Sequence, residues 1–546
     1  MTIRTLKWTA TVVALACAAV LGAAQAQTAA APTTQPLPRE LGKPDSDWQM
    51  DIRAFQVDGL PAASAETLAR LTAPYTGTAR GYGDLMDAAT TVTRYMQREL
   101  GYYVGYAYVP EQRPQDGVVR LQALEGRLDR IDIVVPEGPE GEALRERIAR
   151  QLAGLQPGSV LRADELDRAV LLLEDLRGVN VKVEIQPGRQ PGTAALRVTP
   201  VAESATAWRL DADTYGNRYT GLARVTGAVS RSGVLRVGDA VSAQLLSSHT
   251  GGLRQATLGY VTPVGTGGWR VGALLSRVEY GVDTDDFPAD YHGSVNVAGG
   301  YALYPLLRQR NVNLFGLFSY EHKHFDDRQV AGSLRKFSND WVLGLVGDSR
   351  DAWGGGGINT FELQGLVGRM HFGAGANSLG LDEHFSKWTL GAARLQNLIP
   401  GRLQLYGRYK GQLSSTSLDA TERYAVGGPN GVRGFDPGQG SADTAHVLSA
   451  ELRWLPPERL FGAVSRELVF TVFQDWARVR YFHDSDLQTV GVDNTATLGS
   501  TGLGVTWERP ADLHLHVNLA WRTLGDDQAD PDDADPRVNL LLSKRF

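Results

Sequence analysis

The sequence predicts a membrane β-barrel of about 16 antiparallel strands, preceded by two small α+β domains. Three observations carry this. Between residues 50 and 201 the order strand, helix, helix, strand, strand occurs twice in succession. From about Ala205 to Phe546 the helical period disappears, and apolar and polar residues alternate instead. After the N-terminus there is no run of about 18 uncharged apolar residues, so helical membrane spans are excluded, whereas strands hide their hydrophobicity in the alternation.

The elements follow in order. Arg4 and Lys7 precede an apolar run from Trp8 to about Ala24 and the small-residue site Ala24-Gln25-Ala26, so residues 1–26 read as a secretory signal and the chain as exported. The single cysteine, Cys17, lies inside that signal, which leaves the exported chain without thiol or disulfide chemistry. Residues 27–49 are rich in Ala, Thr and Pro and read as a disordered lead, where Pro32, Pro36, Pro38 and Pro44 leave little room for a helix.

Residues 50–127 form the first domain. Phe55 and Val57 lie on an alternating stretch from Ile52 to Gly59; Ala65 to Tyr75 and Tyr82 to Leu100 carry helical spacing, as in Leu85, Ala89, Val92 and Met96; Tyr102 to Val109 and Val118 to Leu124 return to β-rich composition. Residues 128–203 repeat the pattern: a strand at Leu128 to Val135, helices at Glu142 to Leu155 and Asp164 to Leu176, then strands at Asn180 to Pro187 and Ala194 to Val201.

Residues 204–546 supply about 340 residues, enough for about 16 strands of about 10 residues with their turns and outer loops. Leu403, Leu405 and Tyr409 oppose Arg402, Gln404, Arg408 and Lys410; Leu448, Leu452 and Trp454 oppose Ser449, Glu451 and Arg453; Leu513, Leu515, Val517, Leu519 and Trp521 oppose His514, His516, Asn518 and Arg522. A soluble sandwich also alternates.

Composition bounds the chemistry. A net charge of −6 argues against a nucleic-acid partner, which needs a basic face. No Ser/His/Asp order, phosphate-binding loop or zinc signature is present, so no enzyme and no cofactor is expected. His322 with His324, and His514 with His516, place two imidazoles on one strand face, but their spacing suggests no third ligand, and they read as polar residues of a lumen or rim. Gly354 to Gly357 has no strand-helix context and reads as a turn.

The most informative stretch is GGPNGVRGFDPGQGSAD at 427–443, with Val432-Arg433-Gly434-Phe435 at its centre, followed by Phe473-Gln474-Asp475-Trp476-Ala477. Together these resemble the re-entrant loop and the Phe-x-Asp-x-Gly strand of the two-partner secretion transporters, the hemolysin secretion/activation family. The resemblance extends to GYYVGYAYVPEQ at 101–112 with Glu125 to Leu128, to LLLEDLRGVNV at 171–181 and to GDSRDAWGGGG at 347–357, which are similar to that family's two POTRA domains and a barrel hairpin. It implies that Arg433 meets the Asp475 carboxylate inside the lumen beside Phe473. Ala477 stands where the family has Gly, whose lack of a Cβ permits a close backbone approach. At the far end Val538, Leu540, Leu542 and Phe546 alternate with Asn539, Ser543 and Arg545, and the terminal Phe546 resembles the signal read by barrel-assembly machinery, which favours a membrane barrel over a sandwich.

The resemblance further implies an outer-membrane transporter with its POTRA domains in the periplasm, binding an unfolded hemolysin- or adhesin-like exoprotein and passing it to the surface. Its other partners would be the barrel-assembly machinery and outer-membrane lipid. A barrel insertase of the same superfamily would usually carry other POTRA units, and a passive porin has no need of them.

Overall fold

The computed structural model describes residues 39–44, 48–201, 203–282, 291–330, 332–488, 493–509, 512–525 and 534–546. They fall into two units, one ending at Glu203 and one running from Ser204 to Phe546. The expected signal at 1–26, and most of the lead at 27–49, lie outside the described residues.

In the N-terminal unit the first sheet sets Ala54–Asp58 parallel to Val118–Leu124, which pairs antiparallel with Tyr106–Tyr108. The helix Ala65–Thr72 starts where the Ser64 side chain accepts from the Thr67 amide at 3.2 Å. The helix Tyr82–Arg98 buries Leu85, Ala88, Ala89, Val92 and Met96, the face its spacing marks out. In the second sheet Arg127–Ile133 runs parallel to Thr193–Pro200, which pairs antiparallel with Val181–Pro187. The helices Pro139–Gln151 and Ala163–Glu174 accompany it.

Several boundaries differ from the sequence reading. The helix expected from Glu142 starts at Pro139, a residue suited to the first turn because its missing N–H has no intrahelical partner there. Of the stretch Tyr102 to Val109 only Tyr106–Tyr108 is strand, because the Tyr102 amide bonds the Met96 carbonyl at the helix end and the Tyr103 amide bonds Leu161. An unexpected ribbon pairs Gln49–Ile52 with Gly77–Gly81, whose Gly-Thr-Ala-Arg-Gly sequence carries no apolar alternation. Part of the lead is ordered too: the Leu41 amide donates to Val109 and the Glu111 amide to Arg39, at 2.8 and 2.7 Å. Its backbone finds partners along a sheet edge, which the composition of 27–49 does not reveal.

In the second unit, 16 strands among the described residues close into an antiparallel barrel, each paired with the next, and Leu541–Arg545 returns to pair with Arg209–Asp213. The side chains are arranged inside out relative to a soluble protein. On Thr444–Trp454, Leu448 and Leu452 are 48% and 43% exposed while Ser449 between them is 4% exposed. Trp208, Leu245, Leu275, Leu343 and Trp388 likewise face outward, whereas Asp475, Ser500, Asn518 and Asn539 are buried. An apolar exterior around a polar interior suits a bilayer and would leave a sandwich without a core.

Candidate functional site

The loop at 415–443 joins Leu403–Ser414 to Thr444–Trp454 and has a folded structure of its own. Tyr424 and Ala442 exchange backbone hydrogen bonds of 2.9 and 3.0 Å, and the Val426 amide donates to Gln439. At the tip the Val432 amide returns to the Val426 carbonyl at 2.8 Å, and a Cβ at Gly431 would collide with that carbonyl, so the turn needs glycine there. Val426, Val432, Phe435 and Ala442 are fully buried against the wall residues Ala445, Val447, Ala477, Val479 and Leu498. Ala477 is therefore a packed member of the loop's apolar seat, its methyl accommodated where the family has Gly.

This turn presents Arg433 to the wall. Its Nε and Nη2 donate to Asp475 Oδ2 and Oδ1 at 2.8 and 2.7 Å, and its backbone N–H donates to Oδ2 at 3.1 Å. Planar guanidinium and carboxylate match as two forks. The remaining Nη1 donates to Glu451 Oε1 at 2.8 Å, and the guanidinium carbon lies 3.4 Å from the centre of the Phe473 ring. Phe473 and Asp475 reach the same guanidinium because residues two apart on a strand share a face.

Further wall groups complete the site. Ser500 Oγ donates to Asp475 Oδ2 at 3.3 Å, and Asn539 Nδ2 donates to the Arg433 carbonyl at 3.0 Å. Arg453 donates twice to Glu451 Oε2, at 2.8 and 2.7 Å. Gly434 sits so close to the wall that an added Cβ would stand 3.0 Å from Ser500 Cβ. Glu451, Ser500 and Asn539 do not emerge as site residues from sequence. Alternation places Glu451 on the polar face, and the register that sets Glu451 opposite Phe473 and Ser500 opposite Asp475 is what picks them out.

The structure thus brings Val432, Arg433, Gly434, Phe435, Phe473 and Asp475 together. Phe546 lies apart, at the barrel seam, where its amide donates to Trp208 O at 3.1 Å. The histidines are engaged by wall residues: His516 Nδ1 lies 2.8 Å from Thr506 Oγ1 and its Nε2 2.9 Å from Asn518 Nδ2, its ring stacks on that of His514, and His322 Nδ1 lies 3.0 Å from Asn339 Oδ1. Among the described residues no group of three or more His, Cys, Asp or Glu is placed to hold a metal ion. The arrangement ties the loop to the barrel wall through a bidentate ion pair and an apolar seat.

The family described as haemolysin secretion/activation protein ShlB/FhaC/HecB matches residues 192–505, and the ShlB-type POTRA domain matches residues 50–126. The heme/hemopexin transporter protein HuxB of Haemophilus influenzae is 24% identical over 466 residues, 83% of this chain and 80% of that protein. The hemolysin transporter protein ShlB of Serratia marcescens is 26% identical over 497 residues, 88% of this chain and 83% of that protein. In fold, the solved structure of CdiB from Escherichia coli is similar with a TM-score of 0.70, covering 92% of both chains at 19% identity.

Proposed function

Because the chain belongs to the haemolysin secretion/activation family of ShlB, FhaC and HecB and is a two-partner secretion transporter with an outer-membrane-type barrel, we propose how its parts divide the work. Residues 50–127 and 128–203 act as two periplasmic POTRA domains that receive an unfolded exoprotein, and residues 204–546 pass it to the cell surface. The pinned loop at 415–443 keeps the resting lumen closed. The observation that carries this is the lumen itself: a polar-lined barrel whose interior holds a loop fastened through Arg433 to Asp475 and Glu451.

The receiving step suits strand addition. An extended chain can pair with an exposed sheet edge through main-chain hydrogen bonds that demand little of its side chains. Tyr106–Tyr108 and Val181–Pro187 stand at the ends of the two sheets; just beyond Tyr108 the border is already met by the chain's own segment 39–41 through an isolated bridge, which leaves Val181–Pro187 as the freer edge. No nucleotide is needed, since burial of the exoprotein core outside the cell makes return unfavourable.

The test is secretion of the partner exoprotein. Deletion of 50–203 should abolish its appearance in the medium while the barrel remains folded in the outer membrane, and a proline in Val181–Pro187 should weaken capture by removing a backbone donor. Secretion that survives the deletion would refute the assignment. Capture that survives proline at every exposed edge would point to a groove instead of a strand.

A further inference from the structure

The loop is fastened a second time, at its stem, by groups that the Arg433 site does not use. Leu418 is 1% exposed and packs with Phe325, Met370 and Phe385 of the wall. Next to it, Asp419 Oδ1 receives Lys336 Nζ at 2.8 Å. The Glu422 carboxylate lies between two lysines of different strands, with Lys323 Nζ 2.8 Å from Oε1 and Lys387 Nζ 3.0 Å from Oε2. Lys387 also donates to the Glu422 carbonyl at 2.7 Å.

The placement of these groups is informative. Lys323 and Lys336 belong to Val312–Gln329 and Gly332–Asp351, strands of 18 and 20 residues, well beyond the about 10 that a bilayer requires. Antiparallel alternation puts the turn of this hairpin at the same end of the barrel as the loop, opposite the chain's last residue. Lys387 lies on His384–Ile399. The partners of Arg433 belong to other strands, Thr444–Trp454, Leu468–Arg480 and Arg537–Arg545, with Ser500 of Thr495–Arg509 bonding Asp475 behind them. The charged anchors of stem and tip therefore lie on separate groups of strands, although Leu403–Ser414 also bonds both parts through Gln412 and Arg408.

We propose that Asp419 and Glu422 with Lys323, Lys336 and Lys387 form a second lock, which must open for the loop to leave the lumen, and that these are positioning residues for transport. The inference rests on the reading that the loop closes the resting lumen. Each of these pairs crosses from loop to wall, so its energy depends on where the loop is, whereas a pair within the wall would be indifferent to loop movement. When the loop leaves, Lys387 loses both a carboxylate and a carbonyl partner, and Lys323 keeps Asp340, at 2.8 Å. Charges stranded in a dry wall are costly, and water entering an opened lumen lowers that cost. The lock therefore favours the closed state and, once wetted, does not oppose the open one.

The experiment compares full-length protein with variants in planar lipid bilayers, each first shown to be a folded barrel by its heat-dependent mobility in gels. Glu422→Gln and Asp419→Asn should each raise the fraction of time open by about tenfold. The swap Asp419→Lys with Lys336→Asp should return it toward the original level, which loss of mere structural integrity would not allow. Arg433→Ala is run in parallel. If it opens the channel while the stem variants stay closed, or if the swap fails to rescue, the second lock is overturned and the tip anchor stands. If none of the variants, Arg433→Ala included, changes the open fraction, the loop does not close the lumen and both readings fall.

Discussion

Arg433 and Asp475 lie 42 residues apart in sequence and meet through two parallel hydrogen bonds of 2.8 and 2.7 Å, with 5% and 0% of their side chains exposed. A surface pair of this kind would contribute little. Here the flanking Phe473, Glu451, Ser500 and Asn539 exclude water and fix the fork, so removing one partner leaves the other buried and unpaired. We propose that this couples the position of the loop to the state of the lumen.

Arg433→Ala should therefore destabilise the loop's docking by about 3–5 kcal/mol. The expected outcome is a several-fold loss of exoprotein from the medium with the barrel still folded in the membrane. Arg433→Asp with Asp475→Arg should recover secretion only in part, because Glu451 would then face the new carboxylate. Normal secretion by Arg433→Ala would remove any mechanistic role for the pair.

The apolar half of the seat makes a separate prediction. Phe435 is fully buried against Ala477, Val479 and Leu498, so Phe435→Ala should cost about 3–5 kcal/mol through the cavity it leaves, and Phe435→Leu clearly less. The loosened loop should show as faster protease cleavage within 415–443 in intact outer membranes. Ala477→Gly, which removes one methyl from the same cluster, should cost about 1 kcal/mol, and a gain in loop docking from that change would show that Ala477 crowds its seat.

The barrel and the tip of the loop were legible because their signals are local. Alternation with period two marks the strands wherever it occurs, and Val432 to Phe435 and Phe473 to Asp475 are short motifs read without knowing the register. Glu451, Ser500 and Asn539 were hidden because their contribution depends on which strand stands opposite, and register in a closed barrel is set by stagger around the whole ring. The stem lysines were hidden for the same reason: Lys323 lies 99 residues from Glu422, and a lumen-facing lysine looks like any other until the loop is placed. The ribbon at Gly77–Gly81 leaves no mark in the sequence because backbone bonding to Gln49–Ile52 forms it with almost no apolar pattern.

The second sheet carries a pH dependence of its own. Arg189 bonds the Asp129 carboxylate through its guanidinium and its backbone N–H, with Arg130 beside it, and this lowers the carboxyl to about 2 from 3.8. A depressed carboxyl contributes stability that is fully present above its unfolded value and is lost as pH falls through the folded one. In denaturant unfolding of the N-terminal unit, the difference between the original chain and Asp129→Asn should be constant above about pH 5, shrink through about pH 4 to 2 and be lost only below about pH 2. A difference unchanged between about pH 5 and about pH 1 would show that the Arg189 contact does not depend on the charge.

Transport requires either that the loop leave the lumen or that the barrel widen around it, and a tether distinguishes the two. Asp436, next to Phe435 on the loop, forms an ion pair with Arg537 on the last strand, so the two positions already face each other. The chain has one cysteine, Cys17, which lies in the segment read as a signal. Cysteines at 436 and 537 could thus be joined by a bismaleimide with a reducible bridge, without competing thiols in the exported chain. Loop movement predicts that secretion stops when the bridge forms and resumes on reduction, while a control with one cysteine is unaffected. Barrel widening predicts undiminished secretion with the loop tethered, because Leu541–Arg545 pairs with Arg209–Asp213 over a short seam that could part beside the tether without releasing it. The loop's own folding favours the first outcome: with Tyr424 and Ala442 bonded to each other across its neck, it can move as one piece once its anchors release.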